Sequence, residues 1–377
     1  MKVEQLSLTD ATWQDVVPTI GVKASILLLF ISPTFKEKKN LVSTLKALHP
    51  NATIMGCSTA GEISGVKVND DSVSLTAIEL EKTAHKMEMV HINAMDESFN
   101  AGASLANQLK AKSLKHVLVL SDGLNVNGAD LVEGLKSVLP KTSITGGLAG
   151  DSGNFSDTFI VADSVISNKI IVGIGFYGNE LNVGYSSKGG WDSFGIDRLV
   201  TKSDKNILYE LDGLPALELY KSFLGDNAIN LPRSGLLFPL SMRVNEQDIP
   251  VVRTILGISE EDQSLTFAGN IPEGSYVRLM KANIDRLIDG AEDSAKGAFK
   301  ISKEDAQLAI LISCVGRRIV LKQLVEEEVE VVQDIVGNDS KITGFYSYGE
   351  IAPFGKFSPC ELHNQTMTIT TLSENAG

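Results

Sequence analysis

Short apolar runs along the chain alternate with stretches whose hydrophobic residues recur every three or four positions. Ile26 to Ile31, Val117 to Leu120 and Leu308 to Ile312 are uninterrupted apolar runs, the pattern of strands buried on both faces. Each is followed, after a loop, by helical spacing: Leu41, Leu45 and Leu48; Leu131, Leu135 and Val138; Val320, Leu324 and Glu328. A short pattern accompanies each copy, in which an aliphatic residue, a spacer and a glycine lead to a second glycine joined directly to a carboxylate. It reads I-M-G-C-S-T-A-G-E at 54–62, I-T-G-G-L-A-G-D at 144–151 and I-T-G-F-Y-S-Y-G-E at 342–350. The unit is strand, helix, strand, Gly-carboxylate turn, and each copy is long enough for a right-handed β-α-β crossover.

This predicts an α/β fold of repeated β-α-β units with Gly-carboxylate turns. The acidic turns fall at equivalent ends of parallel strands, where open α/β sheets bind ligands. Ser72 to Glu79, Thr158 to Val161 and Lys169 to Phe176 read as further strands and Ser98 to Lys110 as a helix, so Ile20 to Phe176 holds two copies. Gly178 to Gly195, rich in Gly, Ser and Asn, reads as a loop or hairpin connection. Beyond Ile196 the texture changes: a helix around Pro215 to Phe223, Pro-punctuated strands at Leu236 to Val244 and Val251 to Ile258, a strand at Ile271 to Met280, and a helix at Asn283 to Phe299. Ala309 opens the third copy, and Gln365 to Leu372 closes the chain as a strand.

A chain of 377 residues with 43% hydrophobic content can bury a large core and suggests two or three domains. Its net charge of -13 argues against a nucleic-acid surface, which needs a basic stripe. Three cysteines, Cys57, Cys314 and Cys360, fit a reducing compartment better than a disulfide framework. The N-terminus lacks the apolar core of a signal peptide, and Ile26 to Ile31 is too short to span a bilayer, so the expectation is a soluble, cytoplasmic protein without membrane insertion.

Several motifs reduce to ordinary structure. Gly173, Gly175 and Gly178 spell a dinucleotide fingerprint, but no helix follows, and relief of crowding in a strand explains them better. Gly150 to Gly153 spells G-D-S-G, the protease nucleophile loop, without the rest of that machinery, and Cys360 with His363 supplies only two metal ligands. Glu62, Asp122, Asp151 and Glu350 remain open between two uses: accepting backbone N–H bonds in tight turns, or lining a polar cleft that grips an ammonium or guanidinium. Acid-base catalysis would need a nucleophile or metal constellation that does not accompany them, so an enzyme is the third reading.

The motifs together resemble a known family. M-G-C-S-T-A-G-E-I at 55–63, L-S-D-G at 120–123 and G-G-L-A-G-D at 146–151 are similar to the N-terminal half of the FIST sensory family. Gly190-Trp191, Gly195, E-L-D-G-L-P-A at 210–216 and Tyr220 resemble its central part, and S-C-V-G-R at 313–317, Y-S-Y-G-E-I at 346–351 and H-N-Q-T at 363–366 its C-terminal half. The resemblance implies two α/β halves sharing a cleft, an N-terminal domain over 20–215 and a C-terminal domain over 216–372, in a non-enzymatic sensor of bacterial signal transduction that acts on a partner histidine kinase or cyclic-di-GMP enzyme. Some stand-alone members are haem proteins that sense nitric oxide; others are held to bind amino acids or related small molecules in the same cleft. The haem reading takes His363 as axial ligand, with Phe345, Tyr346 and Tyr348 walling the pocket. The amino-acid reading uses Glu350, Glu62 or Asp151 for the ammonium and Arg317 for the carboxylate. Cys57, Ser58, Thr59, Asp122, Gly147 and Asn364 complete the expected ligand-binding set.

Overall fold

A computed structural model describes residues 1–375. Each apolar run forms a central strand paired in parallel with the strand that leads into its acidic turn: Ile26–Ile31 with Thr53–Ser58, Leu114–Ser121 with Ser143–Leu148, and Leu308–Cys314 with Lys341–Ser347. The runs are apolar throughout because both faces are covered. Leu27, Leu29 and Ile31 pack on Leu41 and Leu45 of helix Lys38–Leu48, while Ile26, Leu28 and Phe30 turn to the molecular centre. Leu118 and Leu120 from the second unit and Ile310 and Ile312 from the third reach the same central cluster, and their alternating neighbours Val117, Val119, Ala309 and Leu311 pack on helices. Phe30 stacks on Phe345 there with ring centroids 4.7 Å apart.

The units exchange hairpins. Each of three six-stranded sheets takes four strands from one unit and a two-stranded hairpin from another. The hairpin Glu62–Ser64 and Lys67–Asn69 of the first unit adds to the third sheet through Lys341–Ser347. Ile160–Ala162 and Val165–Ser167 of the second add to the first sheet through Thr53–Ser58. Gly349–Pro353 and Cys360–His363 of the third add to the second sheet through Ser143–Leu148. The exchange closes a ring, so the mixed α/β fold with repeated units is present and the expected halves share their sheets. Gly173 and Gly175 lie inside strand Ile170–Tyr177; a Cβ on Gly173 would stand 3.1 Å from Leu109 Cδ1, which accounts for that glycine by crowding.

Two local expectations change. Leu181–Lys188, inside the expected connection, is an eight-residue strand antiparallel to Met367–Glu374. Leu181 and Val183 face the centre, and Gly184 lets helix Ile284–Ser302 approach so closely that a Cβ there would meet Ala298 O at 2.3 Å. The third unit therefore begins far upstream of Ala309. Its helical stretch is also broken: Val315–Leu321 ends where Lys322 turns left-handed (φ 53°), and a new helix runs over Glu327–Val336. Glu328 consequently points inward.

Within the third unit, between Leu181–Lys188 and Ile284–Ser302, lies an eight-stranded sheet spanning Asp192–Lys281, with helix Ala216–Leu224 and its own core around Leu208, Leu217, Tyr220 and Phe267. It touches the ring through specific polar bonds. Arg253 Nη1 donates to Leu362 O (3.0 Å), Gln365 Nε2 to Leu236 O (3.1 Å), and Asn270 joins Asn127 and Asp130 at 2.9 and 2.8 Å.

Candidate functional site

The three acidic turns interlock. Ala60 N donates to Tyr346 O (2.8 Å) and Tyr346 N to Gly61 O (2.9 Å); Gly150 N donates to Ser58 O and Ser152 N to Thr59 O, both at 3.0 Å; Tyr348 N donates to Leu148 O (3.1 Å). The approach requires glycine at 150, where a Cβ would stand 2.8 Å from Ala60 N.

The carboxylates follow one design with one exception. Glu62 accepts from the Thr59 hydroxyl, from Ser72 N (3.2 Å) and from Ser72 Oγ (2.7 Å). Glu350 repeats this with Ser347 Oγ (2.6 Å), Thr366 N (3.2 Å) and Thr366 Oγ1 (3.0 Å). In each case the acid ties its turn to the first residue before the returning strand. Burial pushes Glu62 up to about 7 and Glu350 up to about 8, against hydroxyl bonds that favour the charge. In the second unit Asp122 takes the task, accepting from Lys169 N at 2.6 Å, Leu124 N at 2.8 Å, Asn125 N at 2.9 Å and Thr158 Oγ1 at 3.0 Å. Asp151 is thereby released to organise the loop that follows it. It accepts from Phe155 N (2.8 Å), Ser156 N (2.7 Å), Asp157 N (2.9 Å) and the Tyr348 hydroxyl. Burial would raise its pKa, but these donors outweigh it and hold the carboxyl below the usual range.

Above this junction lies a cavity of about 680 Å³ between the ring and the inserted sheet. The ring supplies Ala60 from the first turn, Ser152 to Phe155 from the second, and Val315, Arg318, Ile319 and Lys322 from the third unit. The inserted sheet closes it with 230–233, Leu236, Ile255 and Leu256. Phe155 stacks on Tyr348 at 4.4 Å, giving one wall an aromatic face. Arg318 is fixed by Ala60 O and Asp70, each at 2.7 Å.

The FIST N domain matches residues 25–214 and the FIST C domain 216–353. The chain belongs to the FIST family. Its curated relatives include an uncharacterised protein of Methanocaldococcus jannaschii, 26% identical over 369 residues (87% of this chain, 70% of that protein), and one of Mycobacterium tuberculosis, 21% identical over 347 residues (88% and 87%). Among solved structures, a cyanuric acid hydrolase from A. caulinodans aligns at TM-score 0.39 and 8% identity over 100% of this chain and 99% of that one, and a chorismatase at TM-score 0.36 and 9% identity over 98% of each. Both of those proteins are enzymes, so the expectation that this chain is non-enzymatic is withdrawn; likeness at that level assigns no activity to it.

None of the FIST-motif residues expected to bind ligand lines the cavity; their chain neighbours do. Glu62, Asp122, Asp151 and Glu350 hold turns, and Thr59 serves Glu62. Cys57 is buried in the central core, Ser58 Oγ accepts from Phe159 N (2.9 Å), and Gly147 pairs with Glu350, where a Cβ would stand 2.7 Å from Ile312 Cγ2. Arg317 is fully buried and binds Glu328 Oε2 through Nε (3.0 Å) and Nη2 (2.7 Å), Gly189 O (2.7 Å) and Leu287 O (2.6 Å). Tyr346 donates to Glu328 Oε1 at 2.5 Å. These bonds occupy the guanidinium that was expected to take a carboxylate. Asn364 is buried with both amide atoms unpartnered.

A haem does not fit on His363. The imidazole is 1% exposed, its Nε2–H donates to Ala352 O at 2.7 Å, and Phe354 packs against it with ring centroids 4.4 Å apart, so no space for a porphyrin opens beside it. Burial lowers its pKa to about 4. Sequence reasoning missed Arg318, Lys322, Arg233 and Phe155. The adjacent pair Arg317 and Arg318 was the available signal, since neighbours on a helix point about 100° apart and only one can face inward.

No helix among the described residues is long and apolar enough to cross a membrane, and no group of three or more His, Cys, Asp or Glu among them could hold a metal ion.

Proposed function

We propose that this FIST chain senses a small molecule held in the cavity between the three-unit ring and the inserted sheet. The observation that carries the reading is the position of the cavity: residues from all three units form one side and the inserted sheet the other. A ligand there favours the arrangement in which both sides touch it, and so couples occupancy to the disposition of the inserted sheet. About 680 Å³ is within the range of small-molecule sites. The inserted sheet also carries exposed Ile196, Leu214, Ile229 and Ile249, which supports output through a protein partner; a histidine kinase or cyclic-di-GMP enzyme is the class proposed for it.

Nitric oxide sensing through haem has weaker support, because the cavity lining contains no His, Cys, Met or Tyr to serve as axial ligand. The test is native mass spectrometry of the full chain after incubation with cell extract, repeated with Leu256→Trp to fill the cavity. A small molecule retained by the wild type and lost from the variant supports the reading. Equal retention, or none in either protein, overturns it.

A further inference from the structure

We propose that the cavity takes a small organic acid with an apolar body and no ammonium group. This rests on the cavity being the sensing site and names what it selects. Every charged side chain in the lining is cationic, Arg318, Arg233 and Lys322, although the chain as a whole carries 47 acidic residues against 34 basic ones. Among the described residues neither Arg233 nor Lys322 joins an ion pair, and Arg318 is clamped in place from behind by Asp70 and Ala60 O. Arg233 and Lys322, whose charges are uncompensated, are complementary to a carboxylate, and the mostly apolar remainder, Phe155, Leu256 and Ile319 among it, suits a hydrocarbon body. An ammonium would find no carboxylate on the lining and would sit beside two cations, Arg233 and Lys322, that join no ion pair among the described residues. The nearest acid of the second turn, Asp151, is spent on Tyr348 and the backbone of 155–157.

The loop presenting Phe155 supports a built site. Ser152 and Phe155 are left-handed at φ 60° and 52°, unfavourable for non-glycine residues, and the bonds of Asp151 and Tyr348 keep them there.

The experiment is a thermal-shift and calorimetric titration of the full chain with phenylpyruvate and 4-methyl-2-oxopentanoate, with phenylalanine, leucine and the neutral amides of the two acids as matched compounds. A rise in melting temperature with an acid but not with its amino acid or amide is expected, with affinity falling about tenfold or more in Arg233→Met combined with Lys322→Met. Both residues are exposed, so that variant keeps the fold, and an unchanged melting temperature without ligand checks this. Binding of the amino acids or amides that Leu256→Trp abolishes overturns the acid class and leaves the cavity as the sensing site. No shift with either acid also overturns it, and the extract experiment then judges the sensing reading separately.

Discussion

Asp151 and Tyr348 come from different repeat units and meet through a hydrogen bond in which the phenol donates to the carboxylate. The same hydroxyl accepts from Gly153 N (3.1 Å), and the ring stacks on Phe155, so one tyrosine of the third unit shapes the cavity wall built by the second. Tyr348→Phe removes the donor and the acceptor but keeps the ring. It is expected to cost about 1–3 kcal/mol in urea unfolding and to raise hydrogen exchange at 152–157. Unchanged exchange there would show that the loop holds itself.

Glu350 gives a pH dependence of defined sign. Its folded pKa of about 8 lies above the ordinary 4.5, so between those values the folded chain holds a proton that the unfolded chain has released. Its contribution to stability is full below about 4.5 and is lost as pH rises towards 8. Glu350→Gln, which resembles the protonated acid, is expected to be more stable than the wild type at pH 8, by on the order of 1 kcal/mol or more, with the gain shrinking towards pH 5. Melting curves across that range check it.

Arg317 and Glu328 form an ion pair that is 0% exposed on both sides. Glu328→Gln leaves the guanidinium without its counter-charge and is expected to cost about 3–5 kcal/mol. Replacing both, as Arg317→Met with Glu328→Leu, is expected to cost less than the single change, because no charge stays buried alone. A double-mutant cycle by chemical denaturation measures the difference.

Two glycines separate crowding from backbone strain. Gly150→Ala places a methyl 2.8 Å from Ala60 N in the interlock of the first two turns, and is expected to cost about 1–3 kcal/mol. Gly153→Ala meets open space at φ +81° and is expected to cost about 1–2 kcal/mol through strain alone. Only the first should disturb packing, read as changed near-UV circular dichroism.

Local pattern made the three units legible. Apolar runs such as Ile26–Ile31 mark strands covered on both faces, the spacing of Leu131, Leu135 and Val138 marks helix Gly128–Val138, and Gly next to a carboxylate marks the turn; each signal spans a few residues and needs no distant partner. The strand Leu181–Lys188 was hidden because its glycine and serines look like a loop until Met367–Glu374 and helix Ile284–Ser302 pack against them. The hairpin exchange was equally hidden, since a hairpin carries no mark of the sheet it joins.

By itself the sequence determined the repeat, the acidic turns and the FIST membership. Only the tertiary structure decided which residues of each turn face a ligand. Glu62, Glu350 and Arg317 are spent on contacts with Ser72, Thr366 and Glu328, 10, 16 and 11 residues further along the chain, while Ala60, Asn154 and Arg318 beside the motifs line the cavity. A one-residue step along a strand or helix changes the direction of a side chain, and which direction is the interior depends on elements far away in the chain.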